Sequence, residues 1–124
     1  MDIIEHQALN CDYFFMSANA ISASGELMNI DGIGNRVAAL IYGPKNVIVI
    51  AGINKVEQNL DLAILRAKTK AASLIVLRFS KNEISSFEEL LNKAQSACSQ
   101  LVITNMSTFK DRIKVIIVGE SLGF

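Results

Sequence analysis

Two segments, NVIVIAG (46–52) and IKVIIVG (113–119), limit what this 124-residue chain can fold into more than any other feature. Each is a short, nearly unbroken run of Val and Ile bounded by turn formers. Such runs are the mark of strands buried on both faces, as in a parallel sheet covered by helices. DYFFMS (12–17) and QLVIT (100–104) read the same way. A membrane helix needs about 20 apolar residues, and none of these runs approaches that length.

Between the runs the apolar spacing turns helical. Val56, Leu60, Ala63, Ile64, Ala67, Ala71, Leu74 and Ile75 recur at helix periodicity. Asn54 before them is a good N-cap, and Glu57 three residues on completes a capping-box pattern. A second helix is expected near Ser85, with Glu88 in the corresponding place and Phe87, Leu90, Leu91, Ala94 and Cys98 forming its apolar stripe. A shorter helix should run from Asn35 to Gly43, because Pro44 cannot continue it. SLIVLRFS (73–80) fits either a helix or a strand. Alternation of strands and helices predicts an α/β protein. No repeat, low-complexity tract or linker interrupts it, so residues 1–124 read as one domain.

Charge and cysteine content narrow the function classes. Twelve basic and twelve acidic side chains cancel, and no basic block appears, so neither nucleic acid nor a membrane surface is an expected partner. MDIIEHQALN lacks the basic start and apolar core of a signal peptide. Cys11 and Cys98 lie far apart without metal-ligand spacing, so a cytoplasmic protein without disulfides or a metal site is expected.

In open α/β sheets, ligands sit beyond the carboxyl ends of the strands. Those ends bring forward Ser17, Ala18 and Asn19 after the first strand, Gly52, Asn54 and Lys55 after the second, and Gly119 and Glu120 after the last. The stretch NIDGIGNR (29–36) adds Asp31, Gly32, Gly34, Asn35 and Arg36 just before a helix. Glycines let backbone N–H groups approach an anion, helix N-termini favour negative charge, and an arginine fork matches carboxylate or phosphate. The same residues also make an ordinary turn, with Asp31–Gly32 bending the chain, Asn35 capping and Arg36 paired to Asp31. The spacing is neither a Walker A loop nor a dinucleotide fingerprint. Lys55, expected in a first helical turn, opposes the helix dipole there, which hints at use. His6 reads as a surface histidine, Ser17 has no histidine to activate it, and Cys98 reads as core.

The long stretch YFFMSANAISASGELMNIDGIGNRVAALIYGPKNVIVIAGINKV (13–56) resembles the central signature of the LUD domain, the lactate-utilisation protein family. DRIKVIIVGESLGF (111–124) resembles that family's last strand and tail. The resemblance implies the fold of ribose-5-phosphate isomerase, glucosamine-6-phosphate deaminase and the CoA-transferases, a Rossmann-like three-layer αβα sandwich with a mostly parallel sheet. Relatives carry a helical region and a Gly/Ser-rich segment before the signature. Here the signature begins almost at Met1, so the expectation is a partial LUD-like domain. Many relatives also hold a cysteine-rich insert where this chain has SKNEISSFEELLNKAQSACSQ (80–100), in which only Cys98 corresponds. Family members are associated with oxidation of lactate to pyruvate beside iron–sulfur partner proteins, but the resemblance supplies no catalytic residue and no cofactor.

Two functions follow as expectations. In the first, the domain binds an anionic metabolite (a hydroxy acid, a sugar phosphate or a CoA-like phosphate) through Asn19, Asp31, Gly32, Gly34, Asn35, Arg36, Asn54 and Lys55, with Asp31 or Glu120 as acid–base group should it be an enzyme. In the second, it is a non-catalytic assembly component that forms a homo-oligomer or docks on an oxidoreductase or on a partner supplying the missing N-terminal region. An inactive, decayed relative is the remaining alternative.

Overall fold

The computed structural model describes residues 3–80 and 85–123; the side chains of Ile75, Arg78, Phe79, Ser80 and Phe87 lie outside that description. Sequence expectations that involve Met1, the start of the 80–100 segment or the terminal Phe124 therefore fall partly outside the described residues. In chain order the elements are α1 (Ile3–Ala8), β1 (Tyr13–Met16), β2 (Ala20–Ser22), β3 (Leu27–Asp31), α2 (Asn35–Tyr42), β4 (Asn46–Gly52), β5 (Val56–Glu57), α3 (Leu60–Arg66), α4 (Ala72–Ser80), α5 (Phe87–Ala97), β6 (Gln100–Thr104) and β7 (Ile113–Val118). The class is α/β, as the alternation predicts.

Two sheets organise the core. One is wholly parallel, in the order β1-β4-β7, with Phe14 beside Val47 and Val49 beside Val115. The other is mixed, in the order β5-β2-β3-β6, and only its β2–β5 pair is parallel. Strand alternation sends Met16, Val47, Val49 and Ala51 of the first sheet against Ile21 and Leu27 of the second and Leu40 of α2. The opposite residues of the second sheet, Ala20, Met28 and Ile30, pack on Ala63, Ala67, Ala72, Val76 and Ala94. Alanines fill most of that contact because a methyl group lets the helices lie close to the strands. A π-helical turn at Ala67–Ala71 joins α3 to α4 and keeps Ala67, Ala71 and Ala72 fully buried.

Several expectations change in detail. QLVIT is a strand, but β6 runs antiparallel to β3 and does not belong to the parallel sheet. The helix expected after Asn54 begins at Leu60, with Asn59 as its N-cap accepting from Leu62 N at 2.9 Å. The reason is β5: Val56 pairs with Ile21, so the chain makes a single 3-10 turn at Ile53–Lys55 and a short strand before it can coil. At α5 the cap is Ser86, one residue later than expected, and Glu89 rather than Glu88 reaches back to Ser85 N at 3.1 Å. The ambiguous 73–80 segment is helix. Nor are all the apolar strands covered on both faces: Tyr13 and Phe15 of β1, Ile50 of β4 and Ile116 of β7 are exposed.

Candidate functional site

The turn between β3 and α2 is built by one carboxylate. Asp31 Oδ1 accepts from Gly32 N at 3.0 Å, and Oδ2 accepts from Arg36 N at 2.9 Å and Val37 N at 3.2 Å. Two N–H groups at the start of α2, which no helical carbonyl can satisfy, and the Gly32 N–H of the turn before it are thus taken up by a side chain from the preceding strand. Gly34 closes the turn at φ 88°, a left-handed conformation that costs a side-chain-bearing residue about 1–2 kcal/mol. Asn35 donates through Nδ2 to Glu5 Oε1 at 3.2 Å, tying α1 to α2. Asp31, Gly32, Gly34 and Asn35 therefore hold the helix start together, and the anion facing its N–H groups is the chain's own Asp31.

Arg36 contributes more than its backbone. Its guanidinium donates one Nη2 bond to Ile30 O at 2.7 Å rather than pairing with Asp31. Its charge is felt by Lys55, as is that of Arg66.

Lys55 is the centre of a second group of residues. Sitting in the 3-10 turn after β4, it is only 5% exposed, and Arg66 on α3 only 4%. Nζ donates to Ser17 Oγ, just beyond β1, at 2.8 Å. Among the described residues no carboxylate pairs with it. Burial, Arg66 and Arg36, in that order, push the Lys55 ammonium below its ordinary 10.5. Because Lys55 precedes β5, the helix-dipole argument made for it from sequence does not apply. Arg66 stitches the same corner together, donating Nη1 to Asn19 O at 2.7 Å and Nε to Asn54 O at 3.2 Å. Burial lowers its pKa, while the charge of Glu57 acts the other way.

Asn19 and Asn54 frame this corner. Asn19 Oδ1 accepts from Ile30 N at 2.8 Å, extending the β2–β3 pairing past its last strand residue. Asn54 Oδ1 accepts from Leu122 N at 2.9 Å, and Ile53 N donates to Glu120 O at 3.1 Å. These two bonds lay the tail after β7 across the turn. Gly52 permits it: a Cβ there would stand 2.5 Å from Leu122 N and 2.6 Å from Glu120 O. Glu120 enters through its carbonyl, and its side chain is exposed. One further polar group stands out in the interior. Asn29, on β3 between Met28 and Ile30, is 0% exposed, and neither its Oδ1 nor its Nδ2 has a hydrogen-bond partner.

The sequence-level candidates thus divide. Asn19, Asn54 and Lys55 come together; Asp31, Gly32, Gly34 and Asn35 build the adjoining helix start; Arg36 belongs to both. Arg66 is absent from the sequence-level candidates, whereas Ser17 is among the strand-end residues and Asn29 within NIDGIGNR, though neither is in the expected ligand set. Arg66 left a readable trace, since it follows Ala63 by three positions and precedes Ala67, placing a charge inside the apolar stripe of the helix. Ser17 follows a strand end and has no histidine to activate it as a nucleophile; its hydroxyl serves instead as acceptor for Lys55.

Two cavities lie near the amino end of β7, away from this corner. One of about 580 Å³ is lined by Tyr42, Lys45, Asn46, Lys110 and Lys114 among others. Arg112 at its edge is engaged structurally, donating to Ala39 O, Leu40 O and Pro44 O at 2.6–3.0 Å and closing the C-terminus of α2. Both cysteines are free, and burial raises the Cys98 thiol pKa against the opposing charge of Lys68. Among the described residues no cluster of three His, Cys, Asp or Glu side chains could hold a metal, and no helix is long and apolar enough to cross a membrane.

No curated protein and no solved structure matches the chain. The model of the LUD domain matches residues 1–118, nearly the whole length, which agrees with the resemblance in 13–56. The chain belongs to the LUD domain family.

Proposed function

We propose that this LUD domain binds a small anionic metabolite, of the carboxylate or phosphate kind that lactate-utilisation chemistry handles, at the corner formed by Ser17, Asn19, Arg36, Asn54, Lys55 and Arg66. The observation that carries this reading is Lys55: a buried ammonium held by a neutral hydroxyl, with two guanidinium groups as its charged neighbours. A buried charge costs several kcal/mol unless something pairs with it. An anion entering the corner relieves that cost for Lys55 and for Arg36 together. Arg36 spends one N–H on Ile30 O, and its planar fork retains donors for a carboxylate or phosphate. Lys55 supplies charge, Arg36 orientation, and Arg66 with the two asparagines fixes the backbone around them. No reaction is assigned to the site.

Thermal unfolding in the presence of lactate, pyruvate, sugar phosphates and CoA derivatives tests the reading. A ligand at about 100 times its dissociation constant adds about 2.7 kcal/mol to stability. The expected result is a shift with at least one compound, reduced in Arg36→Ala. No shift with any of them would sink it.

The assembly reading has its own support in the uncovered face of the parallel sheet. Phe15 is 64% exposed and Ile116 50%, with Tyr13 and Ile50 beside them. β7 is an edge strand, so a second copy pairing β7 to β7 would continue both the sheet and its apolar face. A dimer in sedimentation that Ile116→Lys dissociates is the expected result; a monomer at high micromolar concentration would refute it.

A further inference from the structure

We propose that Lys55 captures its ligand covalently, forming an imine with the carbonyl carbon of a small 2-oxo acid held in the Arg36–Lys55–Arg66 corner; this rests on the anion-site reading above and names its substrate class. Three features of the corner distinguish a carbonyl-capturing amine from a simple charge. The first is the partner of Nζ, which is the Ser17 hydroxyl at 2.8 Å rather than a carboxylate that would hold the ammonium charged. The second is the charge of the surroundings. Burial and two guanidinium groups favour the neutral amine, the form with a free electron pair, and desolvation beside other cations is a recognised way to activate a lysine. The third is position. Gly123, exposed and at φ 63°, lies against the amine, and a Cβ built there would stand 3.2 Å from Nζ. The amine is therefore removed from bulk water yet borders a surface residue of a tail fixed by the Leu122–Asn54 and Ile53–Glu120 bonds.

A 2-oxo acid suits this arrangement because its carboxylate is bonded directly to its carbonyl carbon. With the carboxylate on the arginine fork, the electrophilic carbon lies one bond away, on the side of the amine. The neutral Nζ attacks that carbon, a C–N bond forms, and the C=O π pair moves to oxygen. The proton leaving nitrogen passes to that oxygen, with the Ser17 hydroxyl as the adjacent group able to relay it. A second proton, taken from solvent, then allows the oxygen to depart as water while the nitrogen lone pair closes the C=N bond. Amine, ketone and one proton become protonated imine and water, with no change of oxidation state. The resulting positive iminium sits beside the substrate's own carboxylate, which offsets the charge that the two arginines would otherwise oppose. A 2-hydroxy acid can occupy the same anion site but has no carbonyl to attack.

Borohydride trapping tests this on the intact chain. The protein is incubated with pyruvate, reduced with sodium borohydride, weighed by mass spectrometry and mapped by proteolysis; lactate is the control. The expected result is a pyruvate-dependent adduct on Lys55 alone, absent with lactate, diminished by excess lactate as competitor and absent in Lys55→Met. Because mapping is done on the wild type, the result does not depend on that variant folding. Thermal unfolding with pyruvate and lactate in parallel separates the two readings. No adduct while both acids still stabilise the protein would overturn covalent capture and leave the anion site standing. Adducts spread over surface lysines, with Lys55 no more modified than the others, would also overturn it. Neither adduct nor stabilisation would overturn both readings.

Discussion

Asp31 shows how one side chain can settle what a sequence motif leaves open. DGIGNR has the composition of an anion cradle, and its helix start does hold an anion, but that anion is the carboxylate of Asp31 itself. Asp31→Ala leaves three N–H groups without their acceptor and should lower stability by about 1–2 kcal/mol, read as a reduced urea midpoint. An unchanged midpoint would mean that water replaces the carboxylate at no cost. Lys55 gives the complementary case, where the environment lowers the pKa of a base. Well below its folded pKa both states carry the proton, and the folded state bears the burial penalty. As pH rises through the lowered value toward 10.5, the unfolded chain holds more protons, so this residue makes stability rise with pH. The wild type should gain stability relative to Lys55→Met across that interval in urea unfolding at fixed temperature. Parallel pH profiles for the two proteins would contradict the assignment.

At the scale of elements, the short helix α2 is fastened at both ends by residues outside it. Asp31 satisfies its first N–H groups, and the Arg112 guanidinium takes Ala39 O and Leu40 O at its end, where a cation also suits the helix dipole. Arg112→Ala should therefore cost about 2–3 kcal/mol through charged hydrogen bonds lost at buried carbonyls, and Arg112→Lys should recover little, since a point charge cannot reproduce three directed bonds. Differential unfolding of the two variants checks both statements. This long-range clamp explains what the sequence could and could not convey. Short apolar runs identified β1, β4, β6 and β7, because strand propensity is written in a segment's own residues. β2, β3 and β5 lack that signature: β2 and β5 span only three and two residues, and Leu-Met-Asn-Ile-Asp of β3 is interrupted by Asn29 and ends on Asp31. The start of α3 shifts because of a remote pairing: Val56 has helical spacing in sequence but is held as a strand by Ile21. Local pattern encoded the elements; pairing between remote segments decided their boundaries.

For the whole molecule, the arrangement is two sheets sharing a core, with α3, α4 and α5 against one and an apolar face left open on the other. The carboxyl ends of β1 and β4 in the parallel sheet deliver Ser17 and Lys55 to one corner, while α3 returns Arg66 to it and the tail after β7 crosses over it. Part of that corner was legible beforehand. Asn19, Asn54 and Lys55 follow strand ends, where open α/β sheets place their ligands. Arg66 was less so, because a charged residue in an apolar pattern says only that something meets it, not what. The central claim is that the corner holds a small anion through Lys55. Isothermal titration of the wild type and Lys55→Met with lactate, pyruvate and inorganic phosphate tests it most directly. The account predicts saturable binding of at least one of these to the wild type and its loss in Lys55→Met, with both proteins still unfolding cooperatively. Equal affinity in the two proteins, or no binding of any of the three to the wild type, would contradict it.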